Sequence, residues 1–299
     1  MKYDENTLQS WTRPLSTTEE QRVKNTIGMI NDALNKSVML KNYEIEVFTQ
    51  GSYANNTNVR HNSDIDVCVM LASSFFCHYV PGKTAADYGH NSHSGIYFSE
   101  YKSYIIDAIN QKFGSDSVTI KNKSINIASN SYHVNADVVP SIQYRDYNFI
   151  SSINPDIFAE GIKFYASDGT EIINYPKFHI QNGKRKNNDT NYFYKKLVRI
   201  MKHIRNEMCQ ENIIDGNRIT SFLVECLVWN IPNNIIMTYD TWEEIIKKSI
   251  LFLWNSFNDN TYSNWCEVSE HIYLFHNMRK WSAQDTQDFL IRMYAFLGY

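Results

Sequence analysis

Residues 50–71 read QGSYANNTNVRHNSDIDVCVML: a glycine and serine, a polar spacer, then two aspartates one residue apart at the mouth of an apolar run. Side chains at i and i+2 of a strand leave on the same face, about 6–7 Å apart at the backbone. Asp64 and Asp66 can therefore aim at one point while Ile65 and Val67 enter a core. Paired carboxylates at a strand end suit Mg²⁺, which takes hard oxygen ligands and is usually held by one or two carboxylates plus substrate phosphate. Gly51, lacking a Cβ, lets the backbone approach an anion, and Ser52 adds a hydroxyl donor. Gln50, just before the glycine, is a further candidate for the same site.

Composition describes an ordinary folded chain of 299 residues, long enough for one large domain or two small ones, with formal charge −3, 20% charged and 43% hydrophobic residues. Cys68, Cys77, Cys209, Cys226 and Cys266 form no CxxC pair, so buried thiols in a reducing compartment are expected, without a disulfide. The amino terminus has no apolar h-region and the longest apolar stretch, SFLVECLVW, holds a glutamate, so the expectation is a cytoplasmic protein with no membrane association.

The hydrophobic pattern divides the chain into an α+β part and a helical part. STTEEQRVKNTIGMINDALNKS opens with Ser16 and Glu19 at capping-box spacing, followed by Val23, Ile27, Ile30 and Leu34 at helical intervals. YEIEVFTQ and IDVCVML read as strands, and SEYKSYIIDAINQKFG as a helix capped by Ser99. SVTIK and SINIAS flank a turn at Asn122-Lys123, YHVNADVVP is a strand, and GIKFYASDGTEIINY has the pattern of a hairpin. NGKRKNNDT reads as a polar linker, after which helices are expected over 190–210, 220–230, 240–256 and 283–298. The resulting division is a catalytic core with its N-terminal helix over 1–185 and a helical lobe over 186–299.

Together, GS, the spacer and a DxD pair opening an apolar strand resemble the DNA polymerase β-like nucleotidyltransferases. That resemblance implies a third carboxylate on an adjacent strand, because two metal ions about 3.5–4 Å apart need ligands from more than one direction. Asp137 is the candidate: in YHVNADVVP it interrupts an uncharged strand, where an uncompensated carboxylate would be costly. Asp107 and Asp116 lie in or after a helix, and Asp146 in a polar stretch, so surface roles are expected for them.

Taken with VNADVVPSIQYR, YPKFHIQNG and KKLVRIMKHIRNEM, these segments are similar to the bacterial cGAS/DncV-like nucleotidyltransferases, or CD-NTases, over most of the chain. The resemblance implies a nucleotidyltransferase core and a C-terminal helical lobe, as in the oligoadenylate synthetases. It implies Mg²⁺-dependent condensation of NTPs into a cyclic di- or trinucleotide for anti-phage (CBASS) signalling, with two ions held by Asp64, Asp66 and Asp137 and Mn²⁺ able to substitute. Its partners would be NTP substrates, an effector that reads the product and regulatory proteins.

In KKLVRIMKHIRNEM, spacing at about 100° per residue sets Lys195, Arg199 and Lys202 opposite the apolar face, with Lys202 on its flank and able to reach a cleft. By the resemblance Lys202 is the donor-phosphate lysine and Ser221, at a helix start, a second phosphate donor; a solvated helix face and an N-cap are the competing structural roles. Lys184, Arg185 and Lys186 with Lys195, Lys196 and Arg199 could form a basic patch serving the nucleotide. The mildly acidic chain argues against an obligatory nucleic-acid activator and against an RNA-end nucleotidyltransferase, which would need a basic strip. A synthetase of linear oligonucleotides and an inactive nucleotide-binding protein also compete with the cyclase reading. VPGKT at 80–84 lacks the first glycine of a P-loop and reads as a surface loop, and Cys77, His78, His90 and His93 lack a regular zinc spacing.

Overall fold

The computed structural model describes residues 1–14, 16–59, 64–90, 95–276 and 281–299, so His93 and the spacer residues 60–63 lie outside the described part. In chain order the elements are α1 (Glu5–Trp11), α2 (Thr17–Lys36), β1 (Ile45–Gln50), α3 (Gly51–Ala54), β2 (Ile65–His78), α4 (Phe98–Phe113), β3 (Val118–Ile120), β4 (Ile125–Ile127), β5 (Ala136–Asp146), β6 (Ala159–Tyr165) and β7 (Glu171–Asn174). The helices α5 (Pro176–Asp189), α6 (Phe193–Gln210), α7 (Ser221–Trp229), α8 (Asn233–Met237), α9 (Trp242–Asn258) and α10 (Ala283–Phe296) follow.

These elements form two units, one of Ser16–Tyr53 with His61–Lys177 and one of Met1–Leu15, Ala54–Arg60 and Phe178–Tyr299. The division therefore falls ahead of the expected 185/186 boundary, and the first residues join the helices. Both differences have a physical cause. The α1 residue Leu8 is fully buried in the helical core with Leu197, Met201 and Ile250. NGKRKNNDT, expected as a linker, forms the second half of α5 except for its last residue, Thr190. Its polar side chains are held by distant carbonyls: Asn182 donates to the Val268 carbonyl at 2.9 Å and Lys186 to that of Ile231 at 2.7 Å.

In the α/β unit, the strands run in the order β1-β2-β5-β4-β3, with β6 paired to β5 and β7 to β6. β2 and β5 are parallel; the other neighbours are antiparallel. β4 pairs with Ala136–Val138 and β6 with Ile142–Asp146 on the same edge of β5. Pro140, which has no N–H to give, sits where β4 has ended and β6 has not begun. The Ser16–Glu19 capping box is formed as expected: Glu19 N–H donates to Ser16 Oγ at 3.3 Å and Ser16 N–H to Glu19 Oε2 at 3.1 Å. α4 starts one residue before Ser99, on a Tyr97 cap that makes no side-chain bond, so Ser99 is inside the helix.

Alternation sets the faces of β2. Ile65, Val67, Val69 and Leu71 are fully buried against Ile30 and Leu34 of α2 and Tyr101, Ile105 and Ile109 of α4. Cys68 and Met70 face the other way, into a smaller cluster with Val139, Ile162 and Phe164. A one-residue slip would turn all four aliphatics away from this core, where each is worth about 1.5–3 kcal/mol when fully buried, and aim the Asp66 carboxylate into it. The core thus fixes which face carries Asp66.

In the helical unit, the fully buried side chains of Leu197, Ile200, Met201 and Ile204 on α6 pack with Leu223 and Leu227 of α7, Ile246 and Leu253 of α9 and Leu290 of α10. None of the five cysteines is in a disulfide, and VPGKT is a loop exposed over Pro81–Thr84. Among the described residues no helix is long and apolar enough to cross a membrane.

Candidate active site

The β2–β5 register sets the site. Gln50 of β1 lies opposite Asp66, Asp66 opposite Asp137, and Asp137 opposite Asn126 of β4, so one line across the sheet carries four polar side chains on one face. Asp64 stands two residues before Asp66, immediately ahead of β2. The structure therefore brings Gln50, Asp64, Asp66 and Asp137 together from three strands and one loop.

Gly51 adjoins this line for a steric reason. Its φ is +68°, in the left-handed region, and a Cβ built there would lie 2.3 Å from Asp66 Oδ2. Any side chain would displace the carboxylate, so the residue that turns the chain also clears the site. Ser52 is half-buried in the short α3, and its hydroxyl makes no hydrogen bond among the described residues.

Sequence reasoning missed two further residues. Lys121, at the end of β3, donates to Asp137 Oδ1 at 3.0 Å and to Asp64 Oδ2 at 3.4 Å. Asn126 Nδ2 donates to Asp137 Oδ1 at 2.9 Å. Both come from the β3–β4 hairpin, and no local pattern marks either; only the pairing of β4 with β5 brings them there. Lys121 is held above the usual lysine range: desolvation pulls it down, but Asp137 and Asp64 outweigh that.

Burial, then the Asp137 and Asp64 charges, push the Asp66 carboxyl up to about 7, against the pull of Lys121. Three crowded carboxylates with one partly exposed ammonium make a region short of positive charge. In the metal-free protein Asp66 holds a proton between about pH 4 and 7 that the unfolded chain has released, so stability falls as pH rises through that window and the penalty is complete above about 7. Asp66→Asn is expected to stabilise the metal-free protein at pH 8 by about a few kcal/mol, raising its thermal midpoint, and to leave it nearly unchanged below about pH 4. Calorimetric melts in chelator across pH check this; an equal effect at both ends would remove the charge-repulsion account.

Lys202, expected on the helix flank reaching into a cleft, is closed over by a carboxylate. It is 1% exposed, and its ammonium donates to Glu225 Oε2 at 2.5 Å and to the Thr57 carbonyl and Oγ1 at 3.2 Å each. Glu225 also accepts from Thr57 Oγ1 at 2.8 Å and pairs with His179 Nε2 at 2.9 Å. Helical spacing placed Lys202 correctly on the flank, but could not see Glu225 on α7 closing over it. Burial raises the Glu225 carboxyl, and Lys202 with His179 overcomes this and holds it well below the usual carboxylate range.

Ser221 is the first residue of α7; the N-cap is Thr220, whose hydroxyl accepts from Leu223 N–H at 3.1 Å. The half-exposed Ser221 hydroxyl makes no hydrogen bond among the described residues. Asp146, expected at the surface, is 6% exposed and bonded to Tyr175 Oη at 2.7 Å and His78 Nδ1 at 3.0 Å. Of the basic patch, Arg185 pairs with Glu270 at 3.1 Å and Lys186 turns inward, leaving Lys195, Lys196 and Arg199 grouped on α6.

Comparison with known proteins identifies the family. Residues 181–298 match the family model of the cGAS/DncV-like nucleotidyltransferase C-terminal helical domain, and residues 32–123 that of a nucleotidyltransferase domain. The chain is 41% identical over 299 residues to the cyclic dipyrimidine nucleotide synthase CdnE of Cecembia lonarensis, covering 100% of this chain and 99% of that one. It is 34% identical over 302 residues to a cyclic dipurine nucleotide synthase of Elizabethkingia meningoseptica, with 100% of both chains covered. The solved structure of E. meningoseptica CdnE with GTP and Apcpp superposes with a TM-score of 0.82 at 33% identity, over 99% of this chain and 100% of that one. That of the Rhodothermus marinus CdnE c-UMP-AMP synthase with Apcpp and Upnpp gives 0.84 at 28%, over 99% and 98%. The chain belongs to the cGAS/DncV-like nucleotidyltransferases, the family its sequence resembles.

Proposed function

We propose that this nucleotidyltransferase condenses NTPs into a cyclic di- or trinucleotide that serves as a signal in anti-phage defence, read by a separate effector. The observation that carries the reading is the side-by-side register of Asp66 and Asp137 with Asp64 beside them, next to a glycine that leaves room for them. The relatives named as cyclic dinucleotide synthases over their full lengths support the cyclic product. Because they differ in base, the mass of the product decides between purine and pyrimidine use.

Three carboxylates gathered at one place, with Asp66 buried and held up by the charges of the other two, fit a hard divalent cation, and Asp64, Asp66 and Asp137 would hold Mg²⁺ or Mn²⁺. Among the described residues no three such side chains already stand in a closed coordinating arrangement. When bound, the ions would stabilise charge on the transferring phosphoryl group and acidify the acceptor hydroxyl. Asp137 orients the acceptor ribose hydroxyl and takes its proton, with Asn126 fixing its carboxylate. The Gly51 turn and Ser52 hydroxyl donate to the donor phosphates, with Ser221 as a further donor and Gln50 at the acceptor edge. Lys202 enters this reading as the residue that neutralises Glu225 and fixes Thr57, in place of the phosphate contact expected for it. The linear intermediate turns round in the same site, and a second transfer closes the ring with release of a second pyrophosphate.

Incubation with all four NTPs and Mg²⁺, without added nucleic acid, is expected to give phosphatase-resistant products of defined mass by mass spectrometry. Phosphatase-sensitive chains alone would replace the cyclase by a linear synthetase, and absence of pyrophosphate release would remove the enzymatic reading.

A further inference from the structure

A cavity of about 330 Å³ in the helical unit is lined by Arg13, Lys195, Lys196 and Arg199, with Tyr192 at its rim and no carboxylate among its lining residues. None of the four cations makes an ion pair among the described residues. Arg199 is the informative one. It is 5% exposed, and its guanidinium donates from Nε at 2.8 Å and Nη2 at 2.5 Å to the Thr12 carbonyl and from Nη1 to that of Asn56. Three of its five N–H groups meet neutral carbonyls and two are left over. A buried charge compensated only by neutral acceptors, beside three like charges, is costly until an anion arrives. Burial first, then Lys184 and Arg199, lowers the Lys195 ammonium from its usual value, against an opposing Glu225.

We propose that this cavity binds the phosphate of a nucleoside monophosphate, a role separate from the Asp64–Asp66–Asp137 site. A phosphate monoester carries close to two negative charges and several acceptor oxygens, matching a guanidinium fork with neighbouring ammonium groups better than a carboxylate does. Tyr192, held at a positive φ of 68° and 63% exposed, offers a ring face for a base. The volume is at the lower end for small-molecule sites, about 300–1,000 Å³, which favours a mononucleotide. A polynucleotide would call for a strip of cations along a surface, and these four converge on one cavity.

The test is calorimetric titration of AMP, UMP and adenosine into the full-length protein in chelator, with thermal melts of each variant. AMP or UMP is expected to bind, adenosine not to, and Arg13→Ala/Lys196→Ala, two positions at the accessible side, to weaken binding at least about tenfold while remaining folded. Binding should persist in Asp64→Ala/Asp66→Ala, which separates this proposal from the synthase reading. No binding, equal binding of adenosine, an unchanged affinity in the Arg13/Lys196 variant, or loss in the Asp64/Asp66 variant would each overturn it. Tighter binding of a single-stranded RNA of about 20 nucleotides, falling steeply with salt, would overturn it in favour of a polynucleotide.

Discussion

Asp64→Ala/Asp66→Ala is expected to reduce product formation from NTPs and Mg²⁺ by on the order of 10³-fold or more while the protein stays folded. The two side chains leave the start of β2 on the face opposite the aliphatics that pack on α2 and α4, so their removal leaves that packing intact. What is lost is the negative charge that β2 and the loop before it set beside Asp137. Asp137→Ala should have an effect of the same order, since Asp137 closes that line from the neighbouring strand. Rates are read by pyrophosphate release and products by mass spectrometry. A double variant that folds and still synthesises at the parent rate would sink the assignment of these carboxylates.

Lys202→Ala should act on stability first. Removing the ammonium strands the buried Glu225 carboxylate, and breaking one side of a buried pair costs about 3–5 kcal/mol. Removing both charges in Lys202→Met/Glu225→Leu should recover much of that loss, because neither partner is then left unpaired. Denaturant melts of the two single variants and the double variant give the coupling directly. The pair also sets an acid limit. Glu225 is ionised in the folded protein well below the pH at which it protonates in the unfolded chain, so its contribution is present above about pH 4.5 and is lost as pH falls below that. If Lys202→Ala instead melts like the parent and only weakens NTP use, the ammonium meets phosphate in the working enzyme, as the family resemblance implies.

The contrast between these two predictions follows what each residue's surroundings owe to nearby sequence. Asp64 and Asp66 were legible because strand alternation is local: aliphatics at 65, 67, 69 and 71 dictate one face, and the carboxylates take the other. Asp137 was legible because a lone charge inside an apolar strand requires compensation, and Gly51 because a residue without a Cβ lets the backbone approach an anion; that the missing Cβ also clears the Asp66 carboxylate came from the fold. The mixed-sheet core followed by helices could be read for the same reason, since period-two and period-3.6 patterns are written residue by residue.

Tertiary structure alone decided the rest. Lys121 and Asn126 reach Asp137 only because β4 pairs with the first residues of β5. The polar run after Gln181 is helical because its Asn182 and Lys186 find carbonyls at Val268 and Ile231, far along the chain. Asp146 is buried by Tyr175 and His78, and Lys202 by Glu225, none of them a near neighbour in sequence. Helical or strand period tells which way a side chain points, while its charge state, burial and partner depend on what packs there. That is set by contacts between segments whose pairing the chain reveals only when folded.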